Sequence, residues 1–254
     1  MKQQELEGVR ALITGGSRGI GRACAEALAA AGARVVIVYL GSPEAAPEAM
    51  EAIQAMPATE PPAHAIPADV SDEEQATAAV AKAVTHMGGI DVLVNCAGIL
   101  KEQALTETTA ADFDRVIGVN LRGTFIVGRE VIRQFHAQDG RGRVINIGSD
   151  LGALGRPGNS AYCASKAGVA ALTRCWAREF GPDILINTVA PGPIATNMLS
   201  PEIMSAESLA EETRTPLGRI GEPHEVAELV VFLAGPGATF ITGQTLGVNG
   251  GSSM

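Results

Sequence analysis

The sequence predicts an α/β fold: one domain over residues 1–254, with a core of about 8–251, built as a doubly wound, seven-stranded parallel sheet with helices on both faces. Three observations predict it. Short runs rich in β-branched residues alternate with longer Ala-rich amphipathic stretches. The runs are almost continuously apolar, as strands covered on both faces must be. The connections are long enough for right-handed crossovers, which parallel neighbours require.

The strand candidates, in order, are Val9–Thr14, Ala33–Tyr39, Ala63–Val70, Asp91–Asn95, Arg143–Gly148, Ile184–Ala190 and Gln244–Asn249. Helical patterns lie between them at Gly21–Gly32, Asp72–Val84 and Asp112–Phe135, and a further helix starts near Tyr162 and runs to about Phe180. The Pro-rich stretch AMPATEPPAHAIP reads as a surface loop before the third strand. A second irregular region, about 193–222, follows the sixth strand, mixes a short helical pattern with Pro and Gly, and reads as a flap over a substrate pocket. Leu154, Met198, Leu199 and Met204 would make part of that pocket apolar.

Composition narrows the function classes. Apolar residues make up 46% and the formal charge is −9, so clustered cations for a nucleic-acid backbone are lacking. Cys24, Cys96, Cys163 and Cys175 are scattered without metal-ligand spacing, which predicts reduced, mostly buried thiols and no metal site. The polar start MKQQELEG and the lack of a run near the ~20 apolar residues of a membrane span predict a cytoplasmic protein without membrane contact.

The first strand leads into TGGSRGIG, Thr14–Gly21, whose spacing is Gly-x3-Gly-x-Gly. Gly15, Gly19 and Gly21 let the backbone turn tightly, while the N–H groups at Ser17, Arg18 and Ile20 open a helix, where a pyrophosphate is held. An NAD-preferring site carries an acidic residue at the end of the second strand. Here the end reads Tyr39, Leu40, Gly41, Ser42, so a 2′-phosphate meets no carboxylate and Arg18 can pair with it. NADP(H) is therefore favoured, with NAD(H) as the alternative. Asp69, with Val70, ends the third strand, where it can accept from an adenine amino group. Asn95 follows as a turn-forming or cofactor-binding residue, and Ala97 and Gly98 leave space for adenosine.

Tyr162 and Lys166 are four residues apart, and Ser149 lies thirteen positions before the tyrosine. At 100° per residue, Tyr162, Lys166, Val169, Thr173, Trp176 and Phe180 share a stripe about 80° wide, so phenol and amine both point inward. A fixed ammonium beside the phenol is expected to lower its pKa by roughly 1–3 units, making it a usable acid or base. Ser149 can hold the substrate oxygen as charge develops. Asn120 falls inside the long helical pattern, where an Asn predicts a kink or a water bridge to Lys166. Together these residues suggest hydride transfer between a nicotinamide and a ketone or secondary alcohol.

TGGSRGIG, Asp69-Val70, NCAG (95–98), Asn120, Ser149, YCASK (162–166), PGPIAT (191–196) and the closing GQTLGVNGG resemble the short-chain dehydrogenase/reductase family over nearly the whole chain. The closest likeness is to its 3-oxoacyl-acyl-carrier-protein reductases. The resemblance implies a Rossmann sheet and a catalytic Asn120–Ser149–Tyr162–Lys166 set, with Tyr162 and Lys166 also contacting the cofactor. It further implies that Pro191, Gly192, Ile194 and Thr196 hold the nicotinamide side and that the protein is a homotetramer. The expected substrate is then a ketone, including a 3-oxoacyl thioester. The alternatives are an NAD(H)-dependent sugar, polyol or other secondary-alcohol dehydrogenase, or a non-catalytic dinucleotide-binding protein.

Overall fold

The computed structural model describes residues 5–40, 45–56, 62–138, 140–199 and 205–254. Ser42 and Met204 lie outside them. Seven strands form one sheet: β1 (Arg10–Thr14), β2 (Arg34–Tyr39), β3 (His64–Pro67), β4 (Val92–Asn95), β5 (Gly142–Ile147), β6 (Ile184–Pro191) and β7 (Thr245–Val248). Their order is β3-β2-β1-β4-β5-β6-β7, and every pairing is parallel. The helices are α1 (Gly19–Ala30), α2 (Ala45–Gln54), α3 (Glu73–Met87), α4 (Ala110–Ile117), α5 (Thr124–Ala137), α6 (Leu151–Leu154), α7 (Ser160–Phe180), α8 (Ala206–Glu212) and α9 (Pro223–Ala234).

The apolar runs are buried as their composition requires. One core cluster packs Ile13, Ile37, Val94 and Val189 against Leu28 of α1 and Val230 of α9. The other packs Leu12, Val36, Leu93 and Ile186 against Val80 of α3, Val131 of α5 and Trp176 of α7. Alternate residues of one strand thus serve opposite faces, which is why the strands carry no polar period.

Local signals set the helix ends. Asp72 accepts from the Gln75 N–H at the start of α3, and Gly88 ends that helix at φ 77°. Pro223 opens α9 inside a reciprocal Glu222/Glu225 capping arrangement.

Several expectations are corrected. The pattern Asp112–Phe135 is not one α-helix: a π-helical segment, Gly118–Gly123, separates α4 from α5. Asn120 sits in it, its carbonyl accepting from the Thr124 hydroxyl at 2.8 Å. The third strand stops at Pro67, because the Asp69 side chain turns the chain by accepting from Ser71 N at 2.9 Å. Of the four cysteines, all free, only Cys24 is fully buried. α2 and α9 were not read from the sequence, although Glu222-Pro223 with Glu225 was a legible start signal for α9.

Candidate active site

In this strand order the chain reverses its direction of winding between β1 and β4, and an open α/β sheet binds ligands at the carboxyl side of such a point. A cavity of about 620 Å³ lies there, running from Gly15 and Tyr39 past Ser149, Tyr162 and Lys166 to Glu212 of α8.

At one end is the glycine turn. The Gly15 N–H donates to the Val38 carbonyl at 2.8 Å, pinning the turn to β2. The Thr14 hydroxyl accepts from the N–H groups of Cys96 and Ala97 at 3.0 and 3.1 Å, pinning it to the loop after β4. A Cβ on Gly15 would stand 2.9 Å from the Ala97 backbone, and one on Gly21 2.1 Å from the Gly15 carbonyl oxygen. Helix α1 therefore starts directly on the turn, and no side chain caps it. Free N–H groups at a helix start, with nothing protruding between, fit a dinucleotide pyrophosphate.

Of the sequence-predicted cofactor residues, Gly15, Ser17, Arg18, Gly19, Ile20, Gly21, Tyr39, Asp69, Val70, Ala97, Gly98, Pro191, Gly192, Ile194 and Thr196 all line this cavity. Asn95 does not. It is buried in the sheet, donating to Asn146 Oδ1 at 3.0 Å, and its own Oδ1 has no partner. Its place inside β4, paired with Thr14 and Asn146, is what keeps it from the cavity. Asn146 in turn donates to Thr173 on α7 at 2.8 Å, and Thr173 meets Thr188 on β6 at 2.7 Å. This buried polar chain ties β4, β5, β6 and α7 together just below Ser149 and Tyr162.

Asp69 is more occupied than the sequence suggests. Its Oδ1 accepts from Ser71, and its Oδ2 accepts from Arg115 of α4 at 3.1 Å. Burial alone would raise its pKa, but those hydrogen bonds outweigh it and hold the carboxyl low.

At the other end are the proton-handling groups. Lys166, 5% exposed, donates from Nζ to the Ile147 carbonyl at 2.8 Å. Burial pushes its pKa down to about 8. The Tyr162 phenol goes the other way: burial pushes it up to about 12, the Ser149 hydrogen bond offsets part of that, and Asp150, Cys96 and Cys163 raise it further. The expected lowering of the phenol by Lys166 is thus overturned. Nζ stands 5.7 Å from the ring centroid and spends a proton on a backbone carbonyl, so desolvation wins.

Asn120 does not line the cavity. Its Oδ1 accepts from the Ile99 N–H at 2.8 Å, and its Nδ2 donates to the Ile99 carbonyl at 2.9 Å and to Ser165 Oγ at 3.1 Å. It fixes the wall rather than presenting a group to solvent.

Cys96, read with Ala97 and Gly98 as leaving space for adenosine, lines the cavity, and the sequence reading missed Arg115, Asp150, Arg156, Glu211, Glu212, Arg214 and Ser252 as lining residues. Only Asp150 carried a signal, as the neighbour of Ser149. Arg156 pairs with Glu212 and lies 4.0 Å from Glu211, tying the segment after α6 to α8. Among the described residues no three His, Cys, Asp or Glu side chains converge as metal ligands, and no helix is long and apolar enough to cross a membrane.

A family model described as enoyl-(acyl carrier protein) reductase matches residues 15–253. The chain is 40% identical over 247 residues to the 3-oxoacyl-(acyl-carrier-protein) reductase FabG of Staphylococcus aureus, covering 96% of this chain and 98% of that one. A dehydrogenase/reductase from Sinorhizobium meliloti superposes with a TM-score of 0.91 at 42% identity, covering 98% of this chain and 96% of the other. A short-chain dehydrogenase from Burkholderia cenocepacia, solved in complex with NADP, superposes at 0.90 with 37% identity, covering 97% and 98%. With its parallel sheet and a cavity joining a glycine turn to a serine, tyrosine and lysine, the chain belongs to the short-chain dehydrogenase/reductase family, NAD(P)-dependent oxidoreductases of CH–OH and C=O groups.

Proposed function

We propose that this oxidoreductase reduces a ketone, in particular a 3-oxoacyl thioester, with NADPH, and oxidises the corresponding secondary alcohol in reverse. One observation carries the reading: a single cavity joins the uncapped helix start at the glycine turn to Ser149, Tyr162 and Lys166. The Staphylococcus aureus relative, named for a 3-oxoacyl substrate, and the NADP-bound neighbour support the substrate and the cofactor.

When bound, NADPH supplies a hydride to the carbonyl carbon. The N–H groups at Ser17–Gly21 would hold its pyrophosphate, and Arg18, exposed at the turn, would pair with the 2′-phosphate where Tyr39 stands in place of an acidic residue. Gly192, Ile194 and Thr196, which line the cavity, would hold the nicotinamide end. Tyr162 delivers the proton to the carbonyl oxygen. With a pKa near 12 it stays protonated at neutral pH, which suits reduction. Ser149 donates to the same oxygen as negative charge develops. Lys166 would hold the nicotinamide ribose and return protons, and Asn120 keeps the Ile99 wall in place. Leu151, Leu154, Met198 and Leu199 give the substrate end the apolar surface an acyl chain needs, with residues 193–199 and 205–222 as the described parts of the flap over it. The protein acts in the cytoplasm as a homotetramer, a state supported by exposed Phe113 and Phe125 on α4 and α5 and Phe232 on α9.

The test follows NADPH and NADH oxidation over 3-oxoacyl thioesters, enoyl thioesters, simple ketones and sugars. Turnover is expected with the 3-oxoacyl thioester and NADPH, and Tyr162→Phe should lower kcat about 10²–10⁴-fold. Equal turnover by wild type and Tyr162→Phe would show that the proton comes from elsewhere.

A further inference from the structure

At the end of the cavity away from Tyr162, Asp69 is held at each of its polar atoms. Its side chain lines the cavity and is 19% exposed. Its backbone N–H donates to Gln75 Oε1 at 3.1 Å, and its carbonyl accepts from the Asp72 N–H at 3.1 Å. The preceding Ala68 N–H donates to the Tyr39 carbonyl at 2.9 Å, which locks this stretch beside β2. Oδ1 accepts twice from Ser71, from its N–H at 2.9 Å and from its hydroxyl at 2.6 Å. Oδ2 accepts from Arg115 Nη1 at 3.1 Å, and the same nitrogen stands 3.2 Å from Ser71 Oγ. Arg115 projects from α4 and itself lines the cavity.

Each carboxylate oxygen has two lone-pair sites. Ser71 fills both on Oδ1, whereas Arg115 takes one on Oδ2, so a single acceptor direction is left. That direction matters for a purine. Adenine presents an amino group that donates and a ring nitrogen that accepts. Hypoxanthine presents a carbonyl that accepts and a ring N–H that donates. A carboxylate fixed in one orientation bonds the amino group and repels the carbonyl. A carboxylate free to turn can reach the ring N–H instead, and the two bases then bind more nearly alike.

We propose that Arg115 is a positioning residue for the base of the cofactor: with Ser71 it holds the Asp69 carboxylate in the orientation that accepts from an adenine amino group, so that the site selects a 6-amino purine over a 6-oxo purine. The inference rests on the NADPH reading above, with the adenine at Asp69. A guanidinium suits the task because its rigid plane keeps Nη1 between Asp69 Oδ2 and Ser71 Oγ, where an ammonium is a flexible point charge.

Fluorescence titration with NADPH and with its 6-oxo analogue, reduced nicotinamide hypoxanthine dinucleotide phosphate, reads the ratio of the two dissociation constants. Wild type should favour NADPH about 10–100-fold, the range of one charge-assisted hydrogen bond. In Arg115→Ala the ratio should shrink about three- to fivefold, the range of an exposed ion pair. Arg115→Lys should fall between the two, and Ser71→Ala should shrink the ratio as well.

A role confined to holding α4 in place would weaken both nucleotides equally and leave the ratio as it was. A wild-type ratio in Arg115→Ala therefore overturns the proposal, whatever happens to Tm or to NADPH affinity. If Arg115→Ala does not fold, the ratios of Arg115→Lys and Ser71→Ala decide, and wild-type values in both overturn it. Failure of the underlying reading looks different: wild type binds neither nucleotide or favours neither, or Asp69→Ala keeps the wild-type ratio.

Discussion

Gly21→Ala probes the contact on which the proposed cofactor site is built. The added Cβ would stand 2.1 Å from the Gly15 carbonyl oxygen and 2.8 Å from its carbon. A carbon–oxygen contact of about 3.3 Å requires α1 and the turn to separate by about 1.2 Å. Both partners are backbone, so no side chain can rotate away. Over-packing of this kind costs about 1–3 kcal/mol, which for a chain of this length lowers Tm by roughly 2–12 °C. The larger effect is on NADPH. Moving the Gly15 turn pulls it from Val38 and Ala97 and misaims the N–H groups of α1. Losing two charge-assisted hydrogen bonds costs about 3 kcal/mol, which weakens binding by about 100-fold. Fluorescence titration with NADPH measures this, with Gly88→Ala as the control. Gly88 sits at φ +77° with nothing within 4 Å of its would-be Cβ, so Ala there costs about 1 kcal/mol of backbone strain and leaves affinity unchanged. If Gly21→Ala bound NADPH within threefold of wild type, the close approach of α1 to the turn would not be what aims the phosphate donors.

Other perturbations test separate parts of the site. Arg18→Ala should raise KM for NADPH about tenfold, one charge-assisted contact, and leave KM for NADH as it was. Steady-state kinetics with both cofactors check it, and an equal loss for NADH would count against the 2′-phosphate role. Arg156→Ala strands Glu212, the less exposed partner of their ion pair, and unties α8. KM for the acyl substrate should rise about tenfold, ~1.4 kcal/mol, with KM for NADPH unchanged. Glu225 is held down to about 2 by the paired Arg219 guanidinium and then by the Glu222 N–H. Because its folded value is depressed, this stabilisation is present above the ordinary value near 4.5 and is lost as pH falls towards 2. Melting curves between those limits should fall more steeply for wild type than for Glu225→Gln, and parallel curves would refute the linkage.

Much of the site was legible because its chemistry is carried by short local patterns. Gly15, Gly19 and Gly21 follow a strand and open a helix, and a spacing of four on α7 aims Tyr162 and Lys166 to one side. Neither inference needs long-range information. Asn95 illustrates the limit: it stands among cavity residues in sequence, yet β-pairing on both sides turns it into the sheet. Asn120 was legible as a disturbance of its helix, but the π segment and its Ile99 partner were not. Arg156 with Glu212, and Asp150 with Ser252, pair residues 56 and 102 positions apart, and no periodicity relates them.

The sequence by itself determined the layered parallel sheet, because apolar runs with no polar alternation are stable only when covered on both sides. It also determined the dinucleotide turn and the tyrosine–lysine pair, whose geometry is set within one turn of backbone. Tertiary structure alone decided the proton energetics: how far Tyr162 and Lys166 lie from solvent, which carbonyl accepts the Lys166 hydrogen bond, and which hydroxyl of the C-terminal tail meets Asp150. Those depend on desolvation and on charges brought together by folding, which residue spacing does not encode.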